Sequence, residues 1–351
     1  MDAVDVVTLG ESMVTFLPSR PGRLADVPSF DRGIGGAESN VACGLAAAGH
    51  SVKWVSRVGA DGFGRHLVER IAAHGVDTSA VRVDPSRPTG IYFRTAGERA
   101  LTEGGVEGDS SAEVVYYRSG SAASAMSPAN MPGEEIRSGR VLHLSGITAA
   151  LSEDCFALLR ELTAPRPGRP LVSFDVNYRV DLWHDRAEAA GILLDLARGS
   201  DLVFVGADEA EAAWGVTGGP AAIRATLPEP RLLVVKEGGR GATVFERGPH
   251  QDASDTVTHV PALRVDVVAH VGAGDAFAAG FLSATLRGLP VRDRIRHGHL
   301  MAAATLTVPG DLAAPPAREH ADRLVALDDG AWGTLRLGPG WTRANEEVRT
   351  A

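Results

Sequence analysis

Cysteine is scarce in this sequence, with only Cys43 and Cys155 among 351 residues. Both stand in apolar stretches, so we expect two small buried hydrophobic residues in a reducing compartment and no disulfide framework. The eleven histidines show no H-E-x-x-H or similar ligand spacing. The sequence therefore predicts no transition-metal site.

Long apolar runs and an excess of positive charge are also lacking. The apolar runs are too short to span a bilayer, and the N-terminal MDAVDVVTLGES opens with acid and continues into an apolar strand, unlike a signal peptide. Both features predict a cytoplasmic protein. The formal net charge of -9 disfavours nucleic acid and membrane surfaces as partners. It does not exclude small anions, because a local group of arginines can override a weak global field.

Strand-like and helical stretches alternate along most of the chain. This order predicts a three-layer α/β/α fold with a mainly parallel central sheet and helices on both faces. SVKWVSRVG is expected to be one strand, and RVLHLSG, PLVSFDVN, LVFVGA and RLLVVKEGG four more, each followed by helical sequence. We assign residues 1–320 to this domain and predict no role for the tail, 321–351.

The alternation stops between about residues 88 and 118. TGIYFRT and AEVVYYR resemble strands with no helix between them, which predicts a β-ribbon. Together with a strand-like stretch at 11–32, this ribbon is expected to form a small β-sheet lid over an active site. Its long Gly-rich connection, from Ala96 to Ala112, predicts a mobile loop.

Gly272-Ala-Gly-Asp275 precedes an apolar helical run. Two glycines at a helix start allow a tight turn whose free N–H groups, with the helix dipole, suit a phosphate. An acid in such a nest repels anions, but it is useful where a hydroxyl must lose a proton beside a phosphate. Taken alone, the motif fits equally well an Asp that is simply an N-terminal helix residue.

Two other Gly-rich motifs permit close approach of a ligand. Gly33-Ile-Gly-Gly-Ala-Glu-Ser-Asn40 precedes a helix, and the Asn40 amide can donate to and accept from hydroxyls. Lys236-Glu-Gly-Gly-Arg-Gly241 follows a strand and fits a nucleotide-contacting loop. The structural alternatives are a capped helix start for the first motif and a hairpin turn for the second.

Two arginines stand beside hydrogen-bonding side chains, in Tyr116-Tyr-Arg118 and Asp175-Val-Asn177-Tyr-Arg179. The planar guanidinium fork suits a carboxylate or phosphate. The alternative for each is a surface arginine that pairs with an acid.

Together and in this order, the motifs resemble the ribokinase-like (PfkB) sugar kinases over about residues 5–315. The two family signatures correspond to Gly35-Gly36…Asn40 and to Gly272-Ala-Gly-Asp275-Ala-Phe, and their joint occurrence is more specific than either alone. Within the family the text is most similar to the 2-keto-3-deoxygluconate kinases, through GGAESNVACGLAAAGH, RVGADGFGRHL, PTGIYF, YYRSGSAAS, LHLSGITAALS and FDVNYR.

The resemblance implies transfer of the ATP γ-phosphoryl group, with Mg²⁺, to the 6-hydroxyl of 2-keto-3-deoxygluconate, with Asp275 as the general base. It implies sugar-acid contacts from Gly35, Gly36, Ala37, Glu38, Ser39, Tyr92, Tyr116, Arg118, Arg179 and Asp275. The hydrogen-bonding side chains of Asn40 and Asn177 add these two residues to the same set. It implies nucleotide and phosphate contacts from Lys236, Gly238, Gly239, Arg240, Gly241, Gly272, Ala273 and Gly274.

The chain departs from the family pattern at two motifs. Ala269-His270-Val271 stands where an Asp commonly helps to hold a monovalent cation, so we expect that cation to be dispensable. The magnesium-linked Asn-x-x-Glu motif is Gly206-Ala-Asp-Glu209 here. Glu209 remains a candidate for holding a magnesium-bound water, and an acid at a helix N-terminus is the alternative.

Other functions stay open at this point. A kinase for fructose or 2-keto-3-deoxygalactonate fits the same motifs, and the Arg and Tyr residues favour an acid. A non-catalytic sugar-acid-binding regulator is favoured only by the altered 269–271 segment, whereas the retained Asp275 argues against it. An exposed lid edge would also allow a homo-oligomer.

Overall fold

The computed structural model describes residues 4–20, 22–95, 113–183, 185–248 and 254–343, and the predicted mobile loop at 96–112 lies outside them. The strands are β1 (Val4–Leu9), β2 (Met13–Pro18), β3 (Phe30–Gly35), β4 (Val52–Val55), β5 (Arg57–Gly59), β6 (Arg82–Asp84), β7 (Ile91–Arg94), β8 (Val114–Tyr117), β9 (Gly139–Ser145), β10 (Leu171–Asp175), β11 (Leu202–Gly206), β12 (Leu232–Lys236), β13 (Ala242–Glu246), β14 (Thr256–Val260), β15 (Arg264–Val265) and β16 (Arg336–Leu337). The helices are α1 (Ala37–Ala47), α2 (Gly62–Ala73), α3 (Gly133–Ile136), α4 (Gly146–Ala149), α5 (Glu153–Thr163), α6 (Arg186–Arg198), α7 (Ala207–Trp214), α8 (Gly219–Thr226), α9 (Ala273–Leu286), α10 (Val291–Leu306), α11 (Arg318–Val325) and α12 (Asp329–Thr334). No helix in these described ranges is long and apolar enough to cross a membrane.

Eight strands form a central sheet in the order β14-β13-β12-β11-β10-β9-β1-β4. The strands from β4 to β12 in this order are parallel, and β13 and β14 add antiparallel at one edge. Along β11, Leu202 and Phe204 enter one buried core whereas Val203 and Val205 enter the other, because successive strand side chains face opposite sides. The two cores separate three layers, so the predicted α/β/α fold is confirmed.

A second sheet has four strands in the order β3-β2-β7-β8. β7 and β8 pair antiparallel, as the predicted ribbon requires, and β2 joins β7 in parallel. The rings of Phe16 and Phe93 stack at 4.8 Å between their centroids across these strands. We call this element the small sheet; it confirms the predicted second β-element.

Two details of the predicted strand pattern are wrong. SVKWVSRVG is two strands, because β5 leaves the central sheet and pairs with β6, where Arg57 contacts the buried Asp84 carboxylate at 2.8 Å. The chain after β12 forms no helix; Gly238 (φ 57°) and Gly241 (φ 130°) reverse it into the antiparallel strand β13. Positive φ values favour glycine. The turn therefore lies in the motif at 236–241, for which the sequence allowed a nucleotide-contacting loop or a hairpin turn.

The C-terminal segment packs into the larger core. Trp332, Leu335, Leu337 and Trp341 are buried there, and β16 pairs with β15. The fully buried guanidinium of Arg296 in α10 lies 4.4 Å from the centroid of the Trp332 ring and donates to the Val325 carbonyl. The last described residues thus complete a hydrophobic layer over α10.

Candidate active site

The parallel strands end together at one edge of the central sheet. Ser145 is opposite Asp175 there, and Gly206 is opposite Lys236. Ligands of open α/β sheets bind outside the carboxyl ends of the strands. The starts of α1 and α9 lie at this edge, and between it and the small sheet is a cavity of about 380 Å³.

Most of the predicted sugar-side residues line this cavity. They are Gly35, Gly36, Ala37, Asn40, Tyr92, Tyr116, Arg118, Asn177 and Arg179, together with Gly272 and Asp275. A volume of this size is typical of a small-molecule site.

A cavity of about 510 Å³ lies at the opposite ends of α1 and α9, lined among others by Ala48, Ser283, Arg287 and His297. None of the predicted site residues lines it. The chemistry-bearing motifs therefore identify the smaller cavity as the candidate site.

Asp275 is the third residue of α9 and contacts a residue of α1. The Asn40 amide donates to the Asp275 carboxylate at 2.8 Å across 235 residues of sequence. Gly272, the residue before α9, has φ 77° and packs against the main chain of Asp311, where a Cβ would lie only 2.4 Å from the Asp311 carbonyl oxygen. No side chain caps α9, so its first N–H groups face outward with the positive end of the helix dipole.

Lys236 places a positive charge beside this helix start. A Cβ on Gly274 would lie 3.7 Å from the Lys236 Nζ atom. The ammonium donates to both carboxylate oxygens of Asp175, at 3.0 and 3.1 Å. Burial raises the pKa of Asp175 to about 6 against the effect of the ammonium. For Lys236, burial acts to lower the pKa, but the carboxylates of Asp175, Glu209 and Asp275 together raise it above its usual value.

Several buried polar atoms around the cavity lack a hydrogen-bond partner among the described residues. They are Nε of Arg118 and the Oδ1 atoms of Asn40 and Asn177. Arg118 nevertheless contacts an acid, since its Nη2 lies 2.5 Å from a Glu11 oxygen, and Ser121 donates to the other Glu11 oxygen at 2.5 Å. Buried polar groups are normally satisfied, so these donors and acceptors indicate a ligand with both hydroxyl and anionic groups.

Arg179 and Glu209 lie close to each other. The guanidinium of Arg179 donates to the Tyr178 carbonyl at 2.9 Å and lies 3.5 Å from a Glu209 oxygen. The other Glu209 oxygen accepts from the Gly206 N–H at 2.8 Å, at the start of its own helix α7. No cluster of three or more His, Cys, Asp or Glu side chains that would hold a metal occurs within the described ranges. The contact of Glu209 with the Gly206 N–H is the helix-start contact that was the alternative to a metal role, and it uses one of the two carboxylate oxygens.

Glu38 and Ser39 do not line the cavity, although the family resemblance implied sugar contacts for both. Glu38 is fully buried and accepts from the Ser145 and Thr148 hydroxyls, each at 2.7 Å. Burial raises the pKa of Glu38 to about 7. Consecutive helix residues point in directions about 100° apart, so the helix turn that aims Asn40 at Asp275 aims Glu38 at the central sheet.

The predicted nucleotide loop lies outside the sugar-side cavity. Gly238, Gly239 and Arg240 form a single 3₁₀ turn, and Gly241 leads into β13. Ala273 and Gly274 belong to the first turn of α9. Lys236, which immediately precedes this motif, lies beside the start of α9, and Gly272 and Asp275 at that start line the cavity.

Asp311, Arg94 and Glu11 also line the cavity, and the sequence did not identify them. Asp311 accepts from Arg94 Nη2 at 2.7 Å and from the Tyr92 hydroxyl at 3.1 Å, with sequence separations of more than 200 residues. The only local signal is the turn Pro309-Gly310-Asp311, in which Gly310 has φ 137°.

The segment before α9 has no acid at Ala269-His270-Val271, where the chain departs from the family pattern. The Val268 and Ala269 N–H groups donate to the Leu306 carbonyl at 2.7 and 3.3 Å. Asp266, the nearest acid before the motif, pairs with Arg336 at 2.6 Å. Neither Ala269 nor Val271 has a side-chain oxygen for a hard cation.

Known proteins resemble the chain over most of its length. The family described as pfkB family carbohydrate kinase matches residues 4–318. A 2-dehydro-3-deoxygluconokinase of Bacillus subtilis is 34% identical, over 90% of this chain and 94% of its own; that of Thermoproteus tenax is 33% identical, over 92% and 94%. A crystal structure of a PfkB protein from Polaromonas sp. JS666 superposes with a TM-score of 0.75 at 34% identity, covering 88% of this chain and 98% of that one. Plant fructokinases and a 2-dehydro-3-deoxygalactonokinase of Haloferax volcanii match at 29–31% identity.

Proposed function

The chain belongs to the pfkB family of carbohydrate kinases, and from that premise we propose that it transfers the γ-phosphoryl group of ATP to the 6-hydroxyl of 2-keto-3-deoxygluconate, which is the same compound as 2-dehydro-3-deoxygluconate. A sugar kinase needs a hydroxyl, a phosphate site and a base at one point. The observation that carries the proposal is the Asp275 carboxylate at the start of α9, beside a cavity with unpartnered buried donors and acceptors.

Asp275 is the proposed base. It accepts the proton of the 6-hydroxyl as the oxygen–phosphorus bond forms and the bond from that phosphorus to ADP breaks. The N–H groups of Ala273, Gly274 and Asp275, with the Lys236 ammonium, stabilise the charge on the transferring group. Asn40, through its 2.8 Å hydrogen bond, orients the carboxylate.

Arg118 and Arg179 are proposed to select for the acid. Both line the cavity, and the Nε donor of Arg118 is buried without an acceptor among the described residues, whereas its Nη2 contacts Glu11. A carboxylate supplies acceptors for a guanidinium fork. The Oδ1 atoms of Asn40 and Asn177 are also buried without a hydrogen-bond donor among the described residues. The hydroxyls of the sugar chain would supply such donors.

Mg²⁺ is expected to enter with the nucleotide. The described residues build no cage of three metal ligands, and this suits Mg²⁺, which is usually held by one or two carboxylates, waters and substrate phosphates. Glu209 is the residue that would hold a metal-bound water. When bound, the ion neutralises phosphate charge.

The test is an ADP-release assay with 2-keto-3-deoxygluconate, 2-keto-3-deoxygalactonate and fructose in parallel. We expect kcat/KM to be highest for the gluconate acid and lowest for fructose, which has no carboxylate. The galactonate epimer is the second candidate, because a relative that acts on it matches over most of the chain. A higher kcat/KM for fructose would refute the proposed acid selectivity.

Arg118→Ala sharpens this assay. Losing one charge-assisted contact should raise KM for the keto acid by roughly 10- to 100-fold and change KM for ATP much less. Arg57→Ala is the matched control, since Arg57 also pairs with a buried carboxylate, that of Asp84, but does not line the cavity. Equal rises in both KM values would show that Arg118 does not recognise the acid.

A further inference from the structure

A buried ion pair connects the small sheet to Asp311, which follows α10 and packs against the turn that begins α9. Arg94, in β7, donates to Asp311 at 2.7 Å, and their side chains are 8% and 6% exposed. The neighbouring β7 residue Tyr92 donates to the other Asp311 oxygen at 3.1 Å. Asp311 is therefore held from the small sheet at both carboxylate oxygens.

The main chain of Asp311 contacts Gly272, at the start of α9, where the phosphates are proposed to bind. A Cβ on Gly272 would lie 2.4 Å from the Asp311 carbonyl oxygen, so the turn and this carbonyl are in direct contact. Gly310, at φ 137°, fixes the approach of the chain to Asp311 in a conformation that favours glycine. Gly35 is packed as closely, since a Cβ there would lie 2.8 Å from Asp311 Oδ2.

Through these contacts Asp311 packs closely against β7, Gly35 and Gly272. A shift of β7 must move the Asp311 carboxylate or break two buried hydrogen bonds, and a shift of Asp311 must move the Gly272 turn or leave a gap beside it. Packed contacts of this kind transmit displacements rather than absorb them. The sugar side and the phosphate side are thus mechanically connected through one residue.

We propose that Arg94 is a positioning residue that acts through Asp311, so that the small sheet in its sugar-bound position sets the Gly272 turn for the nucleotide. This inference rests on the proposed function for its ligands. Arg94 also lines the cavity, but its proposed role is exerted through Asp311. By reciprocity of binding, sugar acid then tightens nucleotide and nucleotide tightens sugar acid by the same factor.

Calorimetry on the full chain tests the coupling. The affinity for a non-hydrolysable ATP analogue with Mg²⁺ is measured without and with saturating sugar, using the sugar that the turnover assay shows to be phosphorylated. We expect the wild-type protein to bind the analogue at least about fivefold more tightly with sugar. Arg94→Met should reduce that factor to below about twofold, and Arg94→Lys, which keeps a charged donor, should restore part of it.

Arg224→Met is the matched control. Arg224 pairs with Asp255 at 2.6 Å, is similarly buried, and lies in α8 away from the cavity. It should lose comparable thermal stability while keeping the wild-type coupling factor. The proposal is overturned if the wild-type protein shows no coupling, if Arg94→Met keeps it, or if Arg224→Met loses it equally.

Hydrogen exchange separates this inference from the substrate assignment. In the protein without ligands, Arg94→Met should speed amide exchange in peptides that cover 272–276, and Arg224→Met should not. Unchanged exchange there refutes the connection whichever sugar is the substrate. Absence of 2-keto-3-deoxygluconate turnover, by contrast, refutes only the proposed function.

Discussion

Helices α1 and α9 begin in similar ways, but the acids in their first turns have different environments. The N-cap residue is a glycine in both, Gly36 for α1 and Gly272 for α9, and no side chain caps either helix. Each helix has one acid in its first turn. Glu38 is fully buried against two hydroxyls at the central sheet. Asp275 lines the cavity and accepts from Asn40.

The difference comes from position within the turn. Glu38 is the second residue of its helix and Asp275 is the third, so their side chains leave the two helices in different directions. A Gly-rich helix start followed by an acid therefore does not by itself indicate a catalytic residue. The surroundings decide whether burial raises the pKa of the carboxyl, as for Glu38, or whether the carboxyl faces a cavity, as for Asp275.

The sharpest test of the comparison is Asp275→Asn. We expect kcat to fall by at least about 100-fold, as for loss of a general base, with little change in sugar-acid affinity. Asp293→Asn is the control, because Asp293 is the acid in the first turn of α10 and does not line the cavity. Near-normal turnover by Asp275→Asn would remove its assignment as the base.

Asn40 connects α1 to Asp275 of α9 through its 2.8 Å hydrogen bond. Asn40→Ala removes the donor to Asp275, and we expect kcat to fall by about tenfold, which corresponds to one hydrogen bond to a charged group. Asn130→Ala, at an exposed turn where the amide donates to the Ala125 carbonyl, is the control for steady-state kinetics. A change in KM alone would mean that Asn40 binds sugar without orienting the base.

Glu38→Gln should leave turnover within about threefold of wild type, because an amide can still accept from the Ser145 and Thr148 hydroxyls. The larger effect is on the pH dependence of stability. Burial raises the Glu38 pKa from 4.5 to about 7. Between these two pH values the folded protein keeps a proton that the unfolded chain has lost. The resulting stability is fully present below about pH 4.5 and is lost as the pH rises through about 7.

Denaturant unfolding at several pH values measures this effect. Across that window the wild-type free energy of unfolding should fall by up to about 3 kcal/mol relative to Glu38→Gln. Parallel curves for the two proteins would show that Glu38 does not gain a proton on folding. A loss of turnover as large as that of Asp275→Asn would contradict the contrast between the two helix starts.

The smallest expected effect concerns the approach to α9. Ala269 supplies no carboxylate, and Asp266 is paired with Arg336, so we predict activation by potassium of less than about twofold. Activity is titrated with potassium chloride against a bulky ammonium salt at matched ionic strength. Strong saturable activation by potassium alone would show that main-chain carbonyls suffice for a cation site.

The sequence predicted the layers of the fold and most of the cavity, because strand periodicity and Gly-rich turns are local signals. It did not identify Arg94, Asp311 or Glu11, since each is defined by a partner far away in the chain. It also grouped Glu38 with Asn40, because adjacency in a motif does not show which way each side chain faces. The split of SVKWVSRVG into β4 and β5 depended in the same way on a distant residue, Asp84.

The contact of Arg296 with Trp332 has a consequence for synthesis of the chain. The Trp332 ring covers Arg296 and His299 of α10, and Trp332, Leu335 and Trp341 share one buried core with α9 and α10. These three residues are translated after both helices. Helix α10, on which the helix that carries Asp275 packs, therefore cannot reach its final packing until these residues have left the exit tunnel, although the strands of the central sheet are complete much earlier. Nascent chains stalled so that residues beyond about 325 remain in the exit tunnel should stay sensitive to protease in α9 and α10; full protection at that length would show that the C-terminal segment is not needed for folding.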